Sequence, residues 1–474
     1  MPLVLSEDEA IALGQHVLGF GTTDQMTVMI SHSVGGITRI ANNQVLFGDD
    51  GESLQISIEV QLGKRAPVRV VTDQRDDVTL RAMVRAAESI SRQQTGDTVN
   101  PEATYVGPQR YRAVALWSDQ SARTMDVVLP AGIPAMLELT RAAKLEGAGF
   151  IGGLARTSAV VRQSGLAVAC RDTDFECSLT ARAIDGSSSG WAGAVARDWS
   201  RIDPRRIAER AVAIARRAER PVALEPGRRT AILGPVAVAQ MTRAMAGAYS
   251  APEVLSGNSP LSDPSAASKS KIGQRVFDAR LRVVSDPADP DGGFLPFYFT
   301  TDAAGIARQP IVWVEGGVLK SLAYDIEMAV KKGVKHAPQP STIRMEAVPG
   351  TKTLTLDEMI AECKEGIYVN RFHSLSIKDF KSGLLSGVTR DGCFLVKDGK
   401  IAKSLKNFRF ADSPFQAFNR IEAVGKAERA PLGYRKVLPY SGLEFRRLSW
   451  PMEPVIVPPL MVRDFNFAAL SDAV

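Results

Sequence analysis

The sequence predicts an α+β protein whose strands are joined mostly by hairpins. Segments of period-two alternation are separated by tight glycine turns, as at Leu62-Gly63-Lys64-Arg65, Glu315-Gly316-Gly317 and Asp398-Gly399-Lys400. Helical spacing is confined to a few capped stretches. The regular strand–helix–strand alternation of a parallel sheet does not occur. At 474 residues, 45% apolar and 23% charged, the chain has room for two or three domains that each bury a core.

Ser6-x-x-Glu9 is a capping box that opens a helix to about Phe20. Alternation around Thr27–Ile30 and Ile37–Ile40 predicts two strands, and Ser53–Gln61 with Pro67–Thr72 predicts a hairpin. Asp76–Ser91 returns to helical spacing. The turn-rich stretch Thr95–Gln109 marks a boundary. Beyond it come a helix from Pro134 to about Glu146, short strands at Ala159–Arg162, Leu166–Arg171 and near Glu176–Ala183, and a helix with Asp203 as N-cap and Pro204 at N1. Thr230–Leu233 is a strand, and Pro235 opens a helix through Val238, Met241 and Met245. Ser250–Lys271, polar and rich in Ser, Pro and Lys, reads as a long surface loop or lid. After it short strands alternate with glycine turns, with one helix capped by Thr355. The expected division is an N-terminal α+β domain over 1–110, a middle segment over 111–226, and a β-rich, mostly antiparallel C-terminal domain over 227–474.

Composition narrows the chemistry. The net charge of +6 is unclustered and makes a weak case for nucleic acid, since the arginines of 197–229 fall largely on the solvated faces of one amphipathic helix. No apolar run reaches membrane-span length, the first residues lack a basic leader, and none of the four cysteines forms a Cys-x-x-Cys pair. A cytoplasmic protein with reduced thiols is the expectation. Histidine chemistry must use His16, His32, His336 or His373, and no two of these are spaced for a helical zinc site.

Three motifs imitate active sites. Gly147-Ala148-Gly149-Phe150-Ile151-Gly152 has the dinucleotide glycine spacing, but a helix precedes it and a strand follows, the reverse of what pyrophosphate binding needs. Gly186-Ser187-Ser188-Ser189-Gly190 has the nucleophile-elbow spacing without the helix that must follow the serine. Cys393 begins an apolar strand, which favours a core thiol over a dyad with His373. An autonomous hydrolase or nucleotide enzyme therefore ranks last.

Several ordered blocks resemble the TldD/PmbA family, described both as modulators of DNA gyrase and as metallopeptidases. They are Thr38-Arg39-Ile40-Ala41-Asn42-Asn43; Pro226-Gly227-Arg228-Arg229-Thr230-Ala231-Ile232-Leu233-Gly234-Pro235; Glu315-Gly316-Gly317-Val318-Leu319 with Asp325; and Leu356–Ile360 followed by Gly366-Ile367-Tyr368-Val369 and Lys397–Ile401. The resemblance implies dimers around a chamber that admits unstructured peptides. The catalytic partner, TldD, carries His-Glu-x-x-x-His on the helix after the strand matching Thr230–Leu233. Here that helix places Gln240 and Met245 at the histidine positions and Met241 at the glutamate. An amide and thioethers supply neither zinc ligands nor a general base. The resemblance is thus to the PmbA/TldE branch: no catalytic or metal residue and no cofactor of its own, zinc expected in an HExxxH-bearing partner, and Arg39, Asn42 and Asn43 as candidate peptide contacts. The expected function is the non-catalytic subunit of a cytosolic peptidase complex, either with a TldD-like chain or as a homodimer. The alternative is a regulatory protein of the gyrase-modulator type. The stretch from Tyr434 to Val474, with Arg446, Arg447 and Trp450, matches no family block.

Overall fold

The computed structural model describes residues 4–95, 106–266, 268–300, 303–340, 342–436, 449–451 and 454–471. Most of the Thr95–Gln109 stretch, with Arg446 and Arg447, lies outside them. The chain is α+β with mostly antiparallel sheets, as the hairpin grammar predicts.

The first sheet has six strands in the order β3-β2-β1-β4-β5-β6. These are β1 (Met26–Ala41), β2 (Gln44–Val60), β3 (Val68–Thr72), β4 (Glu146–Arg162), β5 (Ala167–Arg182) and β6 (Ser189–Ala196). Thr27–Ile30 and Ile37–Ile40 prove to be the two ends of one strand. Its polar centre is tolerated because buried His32 has partners, and because Gly35 lets the backbone of β4 approach: a Cβ there would stand 2.7 Å from the Gly153 carbonyl oxygen. The short strands expected after 146 are likewise parts of β4 and β5. The glycines of the dinucleotide-like motif lie inside β4, and the preceding helix ends earlier than expected, at Ala142. Because β1 pairs with β4 from Thr27↔Arg162 to Ile40↔Gly149, the expected segments 1–110 and 111–226 share this sheet.

Helices cover one face. Glu7–Leu18 and Asp77–Gln93 pack on Val28, Ile30, Ile56 and Ile58 at one end. Asp119–Ala131, Ile133–Ala142 and Pro204–Arg217 pack on Ile151, Phe175, Cys177 and Leu179 at the other. The alternation of β5 therefore turns Cys170, Asp172, Asp174 and Glu176 to the opposite face, which meets the rest of the chain.

A second sheet runs β10 (Val318–Leu319), β9 (Ile311–Glu315), β8 (Leu281–Ser285), β11 (Ile343–Ala347), β20 (Val455–Val457), β17 (Glu428–Arg429). A third runs β12 (Glu365–Asp379), β7 (Gly227–Leu233), β21 (Leu460–Leu470), β15 (Phe408–Asp412), β13 (Leu384–Lys397), β14 (Lys400–Ser404), with β16 (Ile421–Val424) on β21. Because β12 also pairs with β13, the third sheet closes on itself, which leaves few free edges. Its interior holds an aromatic stack, with Phe372 and Phe410 centroids 4.2 Å apart and Phe465 5.4 Å from Phe410. A short ribbon pairs β18 (Tyr434–Lys436) with β19 (Ser449–Pro451). The Ser250–Lys271 stretch is more structured than expected. It contains the helix Ala251–Leu255 and buries Ala251, Val254 and Leu261 completely, so apolar residues too sparse to show a period still anchor it.

Candidate functional site

The helix Pro235–Ala244 follows β7 directly, started by Gly234 and a proline whose missing N–H is not needed in a first turn. The Gly234 N–H donates to the Val369 carbonyl, which holds the helix start against β12. Further along the helix, the Gln240 amide faces the same strand. Its Nε2 donates to the Phe372 carbonyl and its Oε1 accepts from the Phe372 N–H, both at 2.9 Å. This reciprocal pair is a side-chain imitation of strand pairing and uses both ends of the amide. Met241 and Met245 are buried in the core between the helix and the sheets. The donor set therefore does not fit zinc: the amide is taken up by backbone and the thioethers by packing.

The histidines lie far from this helix. His16 is exposed, 2.8 Å from Asp77. His336 is bonded to the Tyr324 carbonyl, and His373 stands on the outer face of β12 opposite Val388. Buried His32 accepts at Nδ1 from the Leu5 N–H, so its proton sits on Nε2 and is donated to Glu52 Oε1 at 2.7 Å. Burial lowers its pKa, because the imidazolium would lose both water and the Leu5 hydrogen bond. All four cysteines are free and buried, and burial pushes the Cys393 thiol up to about 12. Among the described residues no group of three or more His, Cys, Asp or Glu side chains could hold a metal ion.

Arg39, Asn42 and Asn43 fall at the end of the β1–β2 hairpin. Both asparagines have positive φ, 49° and 58°, the pair of left-handed residues that a two-residue hairpin turn of type I′ needs. The Asn43 side chain is fully employed. Nδ2 donates to the Leu145 carbonyl, while Oδ1 accepts from Thr140 Oγ1 and the Gly147 N–H. Exposed Arg39 lies 5.8 Å from the Phe47 ring centroid. Beside it Val45, Leu46 and Phe47 project unburied, next to a groove of about 770 Å³ lined by Ile133, Pro134 and Leu137. The structure therefore separates the two groups of candidate residues: one lies in the core beside β12, the other at the tip of the first sheet.

Sequence reasoning missed the seam between the first sheet and the rest. Asp174 on β5 meets Arg429 on β17 at 2.6 Å, with both side chains under a tenth exposed. Glu176 accepts from the Gly433 N–H at 2.9 Å, and burial, aided by Asp174, pushes its pKa up to about 8. Asp172 is held by Arg156 on β4. Arg371 lies over the Trp191 ring, 4.8 Å from its centroid, and Asn370 Nδ2 donates to the Trp191 carbonyl. The alternating acids of β5 were the available signal, but their partners lie up to 257 positions away.

Comparison with known proteins agrees with this architecture. Residues 226–469, just over half the chain, match the PmbA/TldA metallopeptidase C-terminal domain. Proteins named metalloprotease from Archaeoglobus fulgidus and Methanothermobacter thermautotrophicus are 23% and 24% identical over 34% and 35% of the chain, and the matches span only 39% and 37% of their lengths. A Thermotoga maritima protein described as a modulator of a DNA gyrase superposes with a TM-score of 0.76 at 16% identity, covering 96% of this chain and 99% of its own. TldE from Thermococcus kodakarensis gives 0.73 at 17% identity, covering 96% and 98%. At these identities the superpositions establish the fold.

Proposed function

The chain belongs to the PmbA/TldD metallopeptidase family, and from that premise we propose that it is the non-catalytic subunit of a peptidase complex of the TldD/TldE type. The observation that carries the reading is the Gln240 clamp. Where the family resemblance sets a metal-binding histidine, this chain uses a side-chain amide to hold the backbone of β12, and Met241 and Met245 complete a core instead of a ligand set. Such a chain contributes shape and not bond cleavage. Zinc, the water it activates and the general base come from a partner carrying His-Glu-x-x-x-His. This chain supplies one wall of the chamber that receives an unstructured or modified peptide.

The exposed tip of β1 and β2 supports a peptide-facing role. Its outer strand β2 is covered by β3 only from Ile56 to Val60, which leaves the Gln44–Gln55 backbone without a strand on that side among the described residues. An extended peptide can add to such an edge through main-chain hydrogen bonds with little sequence preference. Arg39 then lies within reach of the peptide, and Asn42 and Asn43 shape the turn. Among the described residues no helix is long and apolar enough to cross a membrane, and free buried thiols suit the cytoplasm we assign.

Mixing the purified chain with an HExxxH-bearing family member tests the proposal. The expected result is co-elution, zinc in the partner alone, and peptide hydrolysis by the mixture that a chelator abolishes. Chelator-resistant hydrolysis by this chain alone would overturn it. A second reading, binding to a gyrase-like target or DNA, rests on the description of the Thermotoga relative. It requires an affinity that falls steeply with salt, since phosphate contacts release counterions.

A further inference from the structure

The backbone of Leu5 is gripped from both sides. His32 on β1 and Thr157 on β4 are direct partners across the strand pair. The Leu5 N–H donates to His32 Nδ1 at 2.9 Å, and Thr157 Oγ1 donates to the Leu5 carbonyl. Both side chains are buried, so water does not stand in for either bond. The residues around Leu5 tie the two helix groups of the first sheet together. Val4 joins the cluster of Val34, Ile40 and Ala155, and Leu5 packs on the cluster of Val28 and Ile30. Ser6 then caps the helix Glu7–Leu18.

This grip exists in one protonation state only. Nδ1 accepts through a lone pair that an imidazolium lacks, and once protonated it would set an N–H against the Leu5 N–H. The surroundings of the ring pull both ways. Burial opposes the second proton most strongly. Glu52 on β2, 2.7 Å from Nε2, favours it, as does Glu9 on the helix Glu7–Leu18. Arg75, 3.9 Å from Glu52, opposes it, and Thr157 on β4 carries no charge. Moving Leu5 away relieves both penalties together, because it removes the facing N–H and admits water to the ring.

We propose that Val4–Ser6 is a proton-sensitive strap, held across β1 and β4 while His32 is neutral and released when the ring takes a proton from solvent at Nδ1. In the closed form the ring takes that proton less readily than at its ordinary value of 6.5, and in the open form it regains that value. The open form therefore gains by up to about tenfold per pH unit as pH falls below 6.5. The helix Glu7–Leu18 does not follow, because Ala10 and Val17 on its inner face are completely buried. Release is thus a local opening, which withdraws Val4 from between the two helix groups and leaves the sheet intact.

Amide hydrogen exchange of the full chain, followed by NMR and corrected for the intrinsic pH dependence of exchange, tests this. Protection of the Leu5 amide is expected to fall about tenfold between about pH 7.5 and about pH 5, while protection at Val17 holds. His32→Asn places a side-chain oxygen where Nδ1 stood and does not titrate, so its Leu5 protection should not change over the same range. If that variant does not fold, the ring-nitrogen signals of His32 in the parent chain decide. They should show Nδ1 unprotonated at neutral pH and titrate with the same midpoint as the loss of Leu5 protection. The proposal is overturned if Leu5 protection is unchanged by pH, if it falls equally in His32→Asn, if Val17 loses protection in step, or if the two midpoints differ.

Discussion

Gln240 spends both ends of one amide on one backbone unit, so its truncation strands a buried N–H and C=O together. Gln240→Ala is expected to destabilise the chain by about 2 kcal/mol, read from denaturant midpoints, without altering any metal content. Gln240→Glu should cost comparably, because a carboxylate cannot donate to the Phe372 carbonyl. His32 gives a pH signature. Its pKa is lowered in the folded state, so the unfolded chain takes up the proton first as pH falls. The stability it contributes is complete above its ordinary value of 6.5 and is lost as pH drops through and below that value. Denaturant midpoints measured on both sides of 6.5 should converge in His32→Phe relative to the parent chain. Only the helical histidine pattern could be searched for in the sequence. That a lone strand histidine would be held by a backbone amide 27 positions earlier was not legible, because no local rule encodes it.

At the scale of elements, the hairpin β1–β2 is locked at its tip by Asn43, whose side chain ties the turn to the helix Ile133–Ala142 and to the start of β4. Asn43→Ala removes three hydrogen bonds and replaces a residue that tolerates positive φ with one that has no polar side chain to stabilise it there. A loss of about 3 kcal/mol is expected, measurable by thermal or urea unfolding. Gly149 makes the same point about β4. A Cβ there would stand 2.1 Å from the Ser178 carbonyl oxygen, so Gly149→Val should prevent pairing of β4 with β5 and abolish soluble expression. Helix starts were legible because caps are local, and Ser6, Asp203 and Thr355 all cap as predicted. Strand lengths were not. The long strands carry polar and glycine residues in their middles, and alternation is readable only where one face is apolar.

For the whole molecule, the seam is held by charges that desolvate together. Arg429→Ala leaves Asp174 buried and unpaired and should cost about 3 kcal/mol, whereas Arg429→Ala with Asp174→Ala should recover much of it; a double-mutant cycle measures the coupling. Glu176 acts in the opposite pH sense to His32. Its folded pKa, about 8, lies above its ordinary 4.5, so the folded chain holds a proton that the unfolded chain releases. That contribution is complete below 4.5 and disappears as pH rises through about 8. Glu176→Gln should flatten the loss of stability on the alkaline side and leave the His32 limb unchanged. The sequence by itself determined the α+β class, the hairpin connections, the family and the chemistry denied to the helix after β7, because periodicity, turn residues and residue identity are properties of neighbours along the chain. Only the tertiary structure decided that Gln240 grips Phe372, that Asp174 finds Arg429, and that Arg371 lies over Trp191. Those meetings depend on how one sheet docks on another, and the docking arises from the sum of many buried apolar contacts that no short segment carries.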